Sequence, residues 1–283
     1  MRTIVITGAS SGIGLETAKI LANRGYNVLG IGRSSIKCNR AKERILSENP
    51  DAKITFFLAD LMNQGQVIKL AEELNLYLER ESNGQLYALI NNAGCVRSHY
   101  MTTEEGYEQQ FAVNHLAGFL LTYKLLPALV KAKGRVIMTG SKSHKGIRIR
   151  WKDVMLSKNY NPLTAYKQSK LCNLLFAKAL NDRYEKSGIS AYVVDPGLVH
   201  TDIGNKETGK LVNYIWMIRK RFGVPPTLPA KTYAYLCEEE RPAQGLYYYL
   251  CKEEKYSRQV TKENADRLFK LSEALCNIQY PKL

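Results

Sequence analysis

Metal-ligand spacing is missing from this 283-residue chain. Its six cysteines (Cys38, Cys95, Cys172, Cys237, Cys251 and Cys276) are dispersed, and none forms a Cys-x-x-Cys pair. The four histidines, His99, His115, His144 and His200, form no zinc signature either, so no structural metal is expected. Dispersed thiols read as buried or incidental groups in a reducing compartment rather than as a disulfide framework. No continuous apolar run reaches the ~18 residues of a membrane span. Met1-Arg2 lead straight into the first strand, so no signal peptide is expected and a cytoplasmic protein is the expectation. Internal repeats, low-complexity tracts and linkers are absent too, so one domain over 1–283 is the simplest organisation.

Acidic residues are the scarce charge. Asp and Glu number 26 against 41 Lys and Arg, a formal net charge of +15. The excess gathers at 142–158 and 206–221. Such a balance suits nucleic acid, an anionic membrane surface or anionic small molecules. No nucleic-acid-binding module is present, so no nucleic-acid partner is expected. A solvated basic surface that attracts a polyanionic small molecule accounts for the charge, with weak peripheral membrane contact as the other reading. Hydrophobic residues at 45% and charged residues at 24% are ordinary for a globular chain.

Over the first 200 residues, strand and helix patterns alternate. Strands are expected at 3–6, 26–31, 54–58, 86–90, 135–138 and 189–194. Helices are expected at 15–24, 36–47, 64–80, about 103–131 and 165–186, the last stopped by Gly188. Alternation of this kind implies right-handed crossovers and a parallel sheet covered on both faces. The rhythm breaks at about 197–228, which is rich in glycine and proline. Within it Leu211, Tyr214, Ile215, Ile218 and Phe222 share one helical face. This segment follows a strand end, where open α/β sheets place their ligands. A substrate lid is expected there, with a helix packed permanently on the core as the other reading of 211–222. The tail supplies a helix, a strand at 246–250 and a last helix at about 261–276.

Three motifs carry chemistry. The first strand runs into Thr7-Gly8-Ala9-Ser10-Ser11-Gly12-Ile13-Gly14 and then a helix. That order suits a dinucleotide pyrophosphate: Gly8 for the turn, Gly12 for close backbone approach, Gly14 for helix–strand packing. The helix N-terminus offers N–H groups and partial positive charge to the anion. After the second strand stand Gly32, Arg33, Ser34 and Ser35, where a carboxylate would select a free ribose hydroxyl. Arg33 can instead pair bidentately with a 2′-phosphate, which favours NADP(H). The second motif is Asn91-Asn92-Ala93-Gly94. The third is Tyr166-x-x-x-Lys170, one turn apart on one helix face. A phenol is a poor base at neutral pH, and a nearby ammonium lowers its pKa.

With these motifs in this order the chain resembles the short-chain dehydrogenase/reductase family. Asn114-His115-Leu116-Ala117-Gly118-Phe119-Leu120-Leu121-Thr122 and the closing stretch Asn264 to Glu273 resemble its retinol dehydrogenase-like and WW-domain oxidoreductase-like branch. The resemblance implies a doubly wound parallel sheet (Rossmann fold) with helices on both faces. It also implies an enzyme moving hydride between NADP(H) and a lipophilic alcohol or carbonyl: a ketone, aldehyde, sterol or retinoid-like molecule. A homo-oligomer is expected. The alternative is a non-catalytic NADP(H)-binding or redox-sensing protein on the same fold. The implied catalytic set is Asn114, Ser141, Tyr166 and Lys170. Ser143 is the other candidate serine, since Gly140 replaces the first member of the family's Ser-Ser pair and His144 closes a Ser-x-Ala-His-like pattern. The implied cofactor contacts are Thr7, Gly8, Ser10, Ser11, Gly12, Ile13, Gly14, Arg33, Ser34, Asp60, Leu61, Asn91, Ala93, Gly94, Tyr166, Lys170, Pro196, Gly197, Val199 and Thr201. Asp60 has a structural alternative as a helix N-cap. A membrane anchor like that at the front of animal retinol dehydrogenases is not expected here.

Overall fold

A computed structural model describes residues 1–199, 223–238 and 244–282. Thr201 and the amphipathic stretch 211–222, with most of the expected lid, lie outside the described residues. The strands are β1 (Thr3–Thr7), β2 (Asn27–Gly32), β3 (Ile54–Leu58), β4 (Ala88–Asn91), β5 (Arg135–Thr139), β6 (Ser190–Val194), β7 (Tyr247–Tyr249) and β8 (Lys252–Glu253). They form one sheet in the order β3-β2-β1-β4-β5-β6-β7-β8. Every neighbouring pair is parallel except β7 with β8. The main helices are α1 (Gly12–Asn23), α2 (Ser35–Glu48), α3 (Gln64–Glu81), α4 (Gln109–Lys131), α5 (Pro162–Tyr184), α6 (Thr227–Glu238) and α7 (Lys262–Cys276).

Side-chain alternation along the strands builds two cores. Ile4, Ile6, Val28, Ile90 and Val194 face α1, α2 and α6. Val5, Leu29, Leu89, Val136 and Val193 face α3, α4, α5 and α7. This period of two, buried on both faces, is what a covered parallel sheet demands. Helix α4 is long and apolar enough, by length and composition, to cross a membrane. Most of it is buried inside the protein, where Phe119 sits among Phe176, Phe269 and Tyr280. It is a core helix of the sheet's second layer.

Several boundaries differ from the sequence expectation for local reasons. The helix expected from about 103 begins at Gln109. Glu108 takes the cap position, its carboxylate accepting from Phe111 N at 2.7 Å. Residues before it fold into a turn closed by a Thr102–Glu108 bridge, with Gly106 at φ +83°. Helix α5 starts at Pro162 because Asn161 caps it, accepting from Thr164 N at 2.9 Å, and proline suits the first helical position. Strand β8 was not expected. It follows β7 through Leu250 and Cys251, at φ +49° and +61°, neither being a residue that usually marks such a turn.

Candidate active site

The strand order reverses between β1 and β4, the crevice where open sheets receive ligands. Gly8 ends β1 at φ +68°, and Gly12 opens α1 at φ +57°. A Cβ on Gly14 would lie 2.3 Å from the Gly8 carbonyl oxygen and 2.6 Å from Asn92 Nδ2. Only glycine lets α1 begin so close to the strand. Asn92 fastens the loop by donating Nδ2–H to the Thr7 carbonyl at 3.0 Å. Thr7 Oγ1 in turn accepts from Ala93 N at 2.9 Å. The Asn91-Asn92-Ala93-Gly94 motif by itself gives Asn92 no site role; these contacts show that it shapes the cradle. Ser11 occupies the N-cap of α1 without a side-chain cap bond. The first N–H groups of the helix, at Gly12, Ile13 and Gly14, have no intrahelical partner and suit an anion.

A cleft of about 160 Å³ continues from this loop, lined by Gly8, Ser10, Arg33, Asp60, Leu61 and Gly94, with others. Arg33 stands 3.6 Å from Asp60 Oδ2, both partly exposed, a screened pair that is cheap to rearrange. Asp60 Oδ1 accepts from Met62 N at 3.1 Å. The N-cap of α3 is Asn63, accepting from Gln66 N at 2.9 Å, so Asp60 does not cap this helix. Ser34 caps α2, accepting from Lys37 N. Asn91 is buried, and its Nδ2 donates to Thr122 Oγ1 at 3.3 Å. Its Oδ1 has no hydrogen-bond partner, and Asn91 lines a small cavity with Thr7 and Asn114. A cradle that a Cβ would fill, a free helix N-terminus and an adjoining cleft with a cation at its rim together fit a dinucleotide.

Past the cradle, Tyr166 and Lys170 share one face of α5. Lys170 Nζ lies 5.5 Å from the Tyr166 ring centroid and donates to the Thr139 carbonyl at 3.1 Å. Asn173 donates to the same carbonyl at 3.0 Å. Lys170 is only 3% exposed, and burial pushes its ammonium from 10.5 down to about 8; Cys95 and Asp195 pull the other way. Asn114 sits on a π-helical turn, Ala112–Leu116, within α4. Such turns often mark functional positions. Its Oδ1 accepts from Cys95 N at 2.7 Å, and its Nδ2 donates to Cys95 O at 3.1 Å and Ser169 Oγ at 3.0 Å. Ser169 then donates to Tyr166 O at 2.8 Å. Asn114 therefore links the Gly94-Cys95 turn to the helix that carries Tyr166.

Ser141 precedes a short 3₁₀ turn, Lys142–His144. Its Oγ accepts from Ser143 N at 3.2 Å and from Ser143 Oγ at 2.9 Å. The two candidate serines thus adjoin, with Ser143 serving Ser141. Beyond β6, Asp195 uses both oxygens, accepting from Gly197 N at 2.9 Å and from the Tyr247 hydroxyl at 2.6 Å. Burial first, and Asp195 second, push the Tyr247 pKa upward, so it stays a phenol donor. This holds the Pro196-Gly197 turn, with Gly197 at φ +69°, and Val199 pairs with Val224.

The short chain dehydrogenase family model matches residues 2–211. Mouse retinol dehydrogenase 12 is 36% identical over 283 residues, covering 99% of this chain and 87% of that protein. Human retinol dehydrogenase 13 is 33% identical, covering 100% and 86%. Among solved structures, an uncharacterized protein from Mycobacterium paratuberculosis superposes with a TM-score of 0.76 at 29% identity, covering 99% of this chain and 95% of that one. A short-chain dehydrogenase from Sphingobium yanoikuyae in complex with NADPH gives 0.66 at 20%, covering 100% and 98%. One from Burkholderia phymatum in complex with NAD gives 0.69 at 18%, covering 88% of each chain.

Proposed function

The chain belongs to the short-chain dehydrogenase family, and from that premise we propose that it reduces or oxidises a lipophilic carbonyl/alcohol pair with NADP(H). The observation that carries this reading is that Asn114, which lines the crevice beside the glycine cradle, is bonded through Ser169 to the helix turn bearing Tyr166 and Lys170. Gly8, Gly12 and Gly14 with the α1 N-terminus would hold the pyrophosphate. Arg33 would take the 2′-phosphate, exchanging its weak pair with Asp60 for a charge-assisted one. Pro196 to Val199 would face the nicotinamide. When bound, the dinucleotide supplies or accepts the hydride.

In the reducing direction Tyr166 gives its phenolic proton to the carbonyl oxygen as charge develops there. Ser141 donates a hydrogen bond to the same oxygen. Its Oγ already accepts twice from Ser143, which leaves its own hydrogen to donate. Lys170, while protonated, lowers the cost of the phenolate. Asn114 holds the Cys95 turn and, through Ser169, the Tyr166 backbone, which keeps the proton path aligned. The names of the retinol dehydrogenase relatives support a retinoid-like substrate, and all-trans-retinal is the first molecule to try. The test follows NADPH oxidation over a panel of aldehydes and ketones. Tyr166→Phe should abolish turnover and leave NADPH binding close to wild type. A Tyr166→Phe enzyme that keeps most of its activity would overturn the assignment.

A further inference from the structure

His144 ends the Ser-x-Ala-His-like pattern that begins at Ser141. In the fold it is fully buried, and both ring nitrogens are used. Nε2 faces the backbone N–H of Ser257 at 3.1 Å. A backbone amide can only donate, so Nε2 must be the unprotonated nitrogen. Nδ1 therefore carries the hydrogen and donates it to the Ser141 carbonyl at 2.6 Å. The backbone N–H of His144 reaches the same carbonyl at 3.1 Å. The imidazole also meets the Tyr247 ring edge-on, with centroids 4.9 Å apart, and Tyr247 is pinned by Asp195.

These contacts tie the loop after β5 to two distant parts of the chain. Ser257 belongs to the C-terminal segment after β8, and Tyr247 to β7. Without the imidazole, the 141–144 turn would be tied to Ser257 by no bond from this side chain, and the Ser141 carbonyl would keep only its bond within the turn. We infer that His144 is a positioning residue for Ser141: as a neutral imidazole protonated on Nδ1, it clamps the serine turn to Ser257 and so fixes where the serine hydroxyl meets the substrate oxygen. This rests on the reading of Ser141 given above. The charged and titratable groups around the ring agree with a neutral form. Burial is the largest influence and lowers its pKa below 6.5; Lys145 acts in the same direction, Asp195 opposes, and the bond to Ser141 O also opposes. Tyr247, the remaining titratable group against the ring, has its own pKa raised and stays neutral.

Two substitutions separate the two nitrogens. His144→Asn keeps an amide N–H near the Nδ1 position, aimed at Ser141 O. His144→Gln places its side-chain oxygen near the Nε2 position, able to accept from Ser257, and loses the Ser141 bond. The first arm needs no substrate. Nitrogen-15 NMR of histidine-labelled protein, with His144 assigned by its absence in His144→Gln, should show one neutral ring protonated on Nδ1 throughout the range around neutral pH. A ring that titrates near its ordinary 6.5, or one protonated on Nε2, overturns the inference. The second arm measures kcat with all-trans-retinal and NADPH, and NADPH affinity by fluorescence titration. His144→Gln should lower kcat at least about tenfold, the scale of a misplaced catalytic contact, while NADPH affinity stays within about twofold. His144→Asn, which cuts the Ser257 end of the clamp instead, should lower kcat by a similar factor with the same small effect on NADPH affinity. A loss in only one variant, a fall in NADPH affinity as large as that in kcat, or no loss in either variant while Ser141→Ala is impaired, overturns the inference. An unimpaired Ser141→Ala, or no turnover by the unmutated enzyme, strikes the functional reading instead, and the NMR arm still decides the tautomer and the clamp.

Discussion

Lysine at position 170 should cost the fold stability, and the cost can be worked from its surroundings. Its ammonium is buried and donates to one carbonyl, Thr139 O. Burial brings its pKa from 10.5 to about 8. At about 1.36 kcal/mol for each tenfold change, that difference corresponds to about 3 kcal/mol against the folded state wherever the lysine is charged. Lys170→Met keeps a similar length and apolar bulk. It also leaves no orphaned acceptor, because Asn173 Nδ2 still donates to Thr139 O at 3.0 Å. We therefore expect Lys170→Met, without added cofactor at pH 7, to be more stable by about 2–3 kcal/mol. For 283 residues at about 2.1 cal/mol/K each, that is about a 3–5 °C rise in Tm.

The same reasoning fixes a pH signature. Below about 8 the folded and unfolded lysines are both protonated, and the penalty is present in full. Between about 8 and 10.5 the unfolded chain binds a proton that the folded chain does not, so wild-type stability gains on the variant as pH rises. Differential scanning calorimetry or denaturant titration of both proteins across this range gives the comparison, and other titrations cancel in the difference. The variant should also lose turnover, which would make this site a case of stability given up for function. A lower Tm for Lys170→Met at pH 7, or a gap that widens with pH, would refute the account of Lys170 as a desolvated ammonium.

Arg33→Ala should raise the NADPH KM by about one to two orders of magnitude with little change in kcat, because a remote phosphate contact contributes uniform binding. NADH kinetics should hardly change, and an equal effect on both cofactors would end the case for NADP(H). Ser141→Ala should lower kcat by at least about 10²-fold, whereas Ser143→Ala, which loses only the hydroxyl that donates to Ser141 Oγ, should cost much less. Steady-state kinetics of the two variants decide between the serines, and the reverse ranking would move the catalytic role to Ser143.

Most of the sheet was legible because its determinants are local. Alternating apolar residues in short runs, each followed by a helical pattern, leave few arrangements other than a parallel sheet with two cores. The glycine cradle was equally legible: Gly8 and Gly14 are required by a left-handed turn and by a 2.3 Å approach that no Cβ survives. What escaped depends on contacts distant in sequence or on unmarked turns. Leu250 and Cys251 take positive φ without glycine or asparagine to announce it. The late start of α4 is decided by the Glu108 cap, whose carboxylate is also held by Tyr160, 52 residues away. The role of Asn92 is visible only once β4 lies beside β1.

Gly140, which stands where the family's Ser-Ser pair would have its first serine, has a packing cause. A Cβ on Gly140 would come within 2.5 Å of Val193 Cγ1, which belongs to the neighbouring strand, and 3.4 Å from the ring of Tyr247. Gly140 N also bonds Val194 O at 2.8 Å, so the backbone cannot swing away without breaking the β5–β6 pairing. Tyr247 is held by Asp195 and by its contact with His144, which leaves the tyrosine ring no easy retreat. A serine at position 140 would have to displace the Val193 side chain. The hydroxyl that a Ser-Ser pair would place just before Ser141 is therefore missing, and Ser143, two residues after it, donates to Ser141 Oγ. Glycine at 140, serine at 143 and histidine at 144 are three parts of one arrangement: the first lets β6 and β7 close against the loop, and the other two aim the serine that remains.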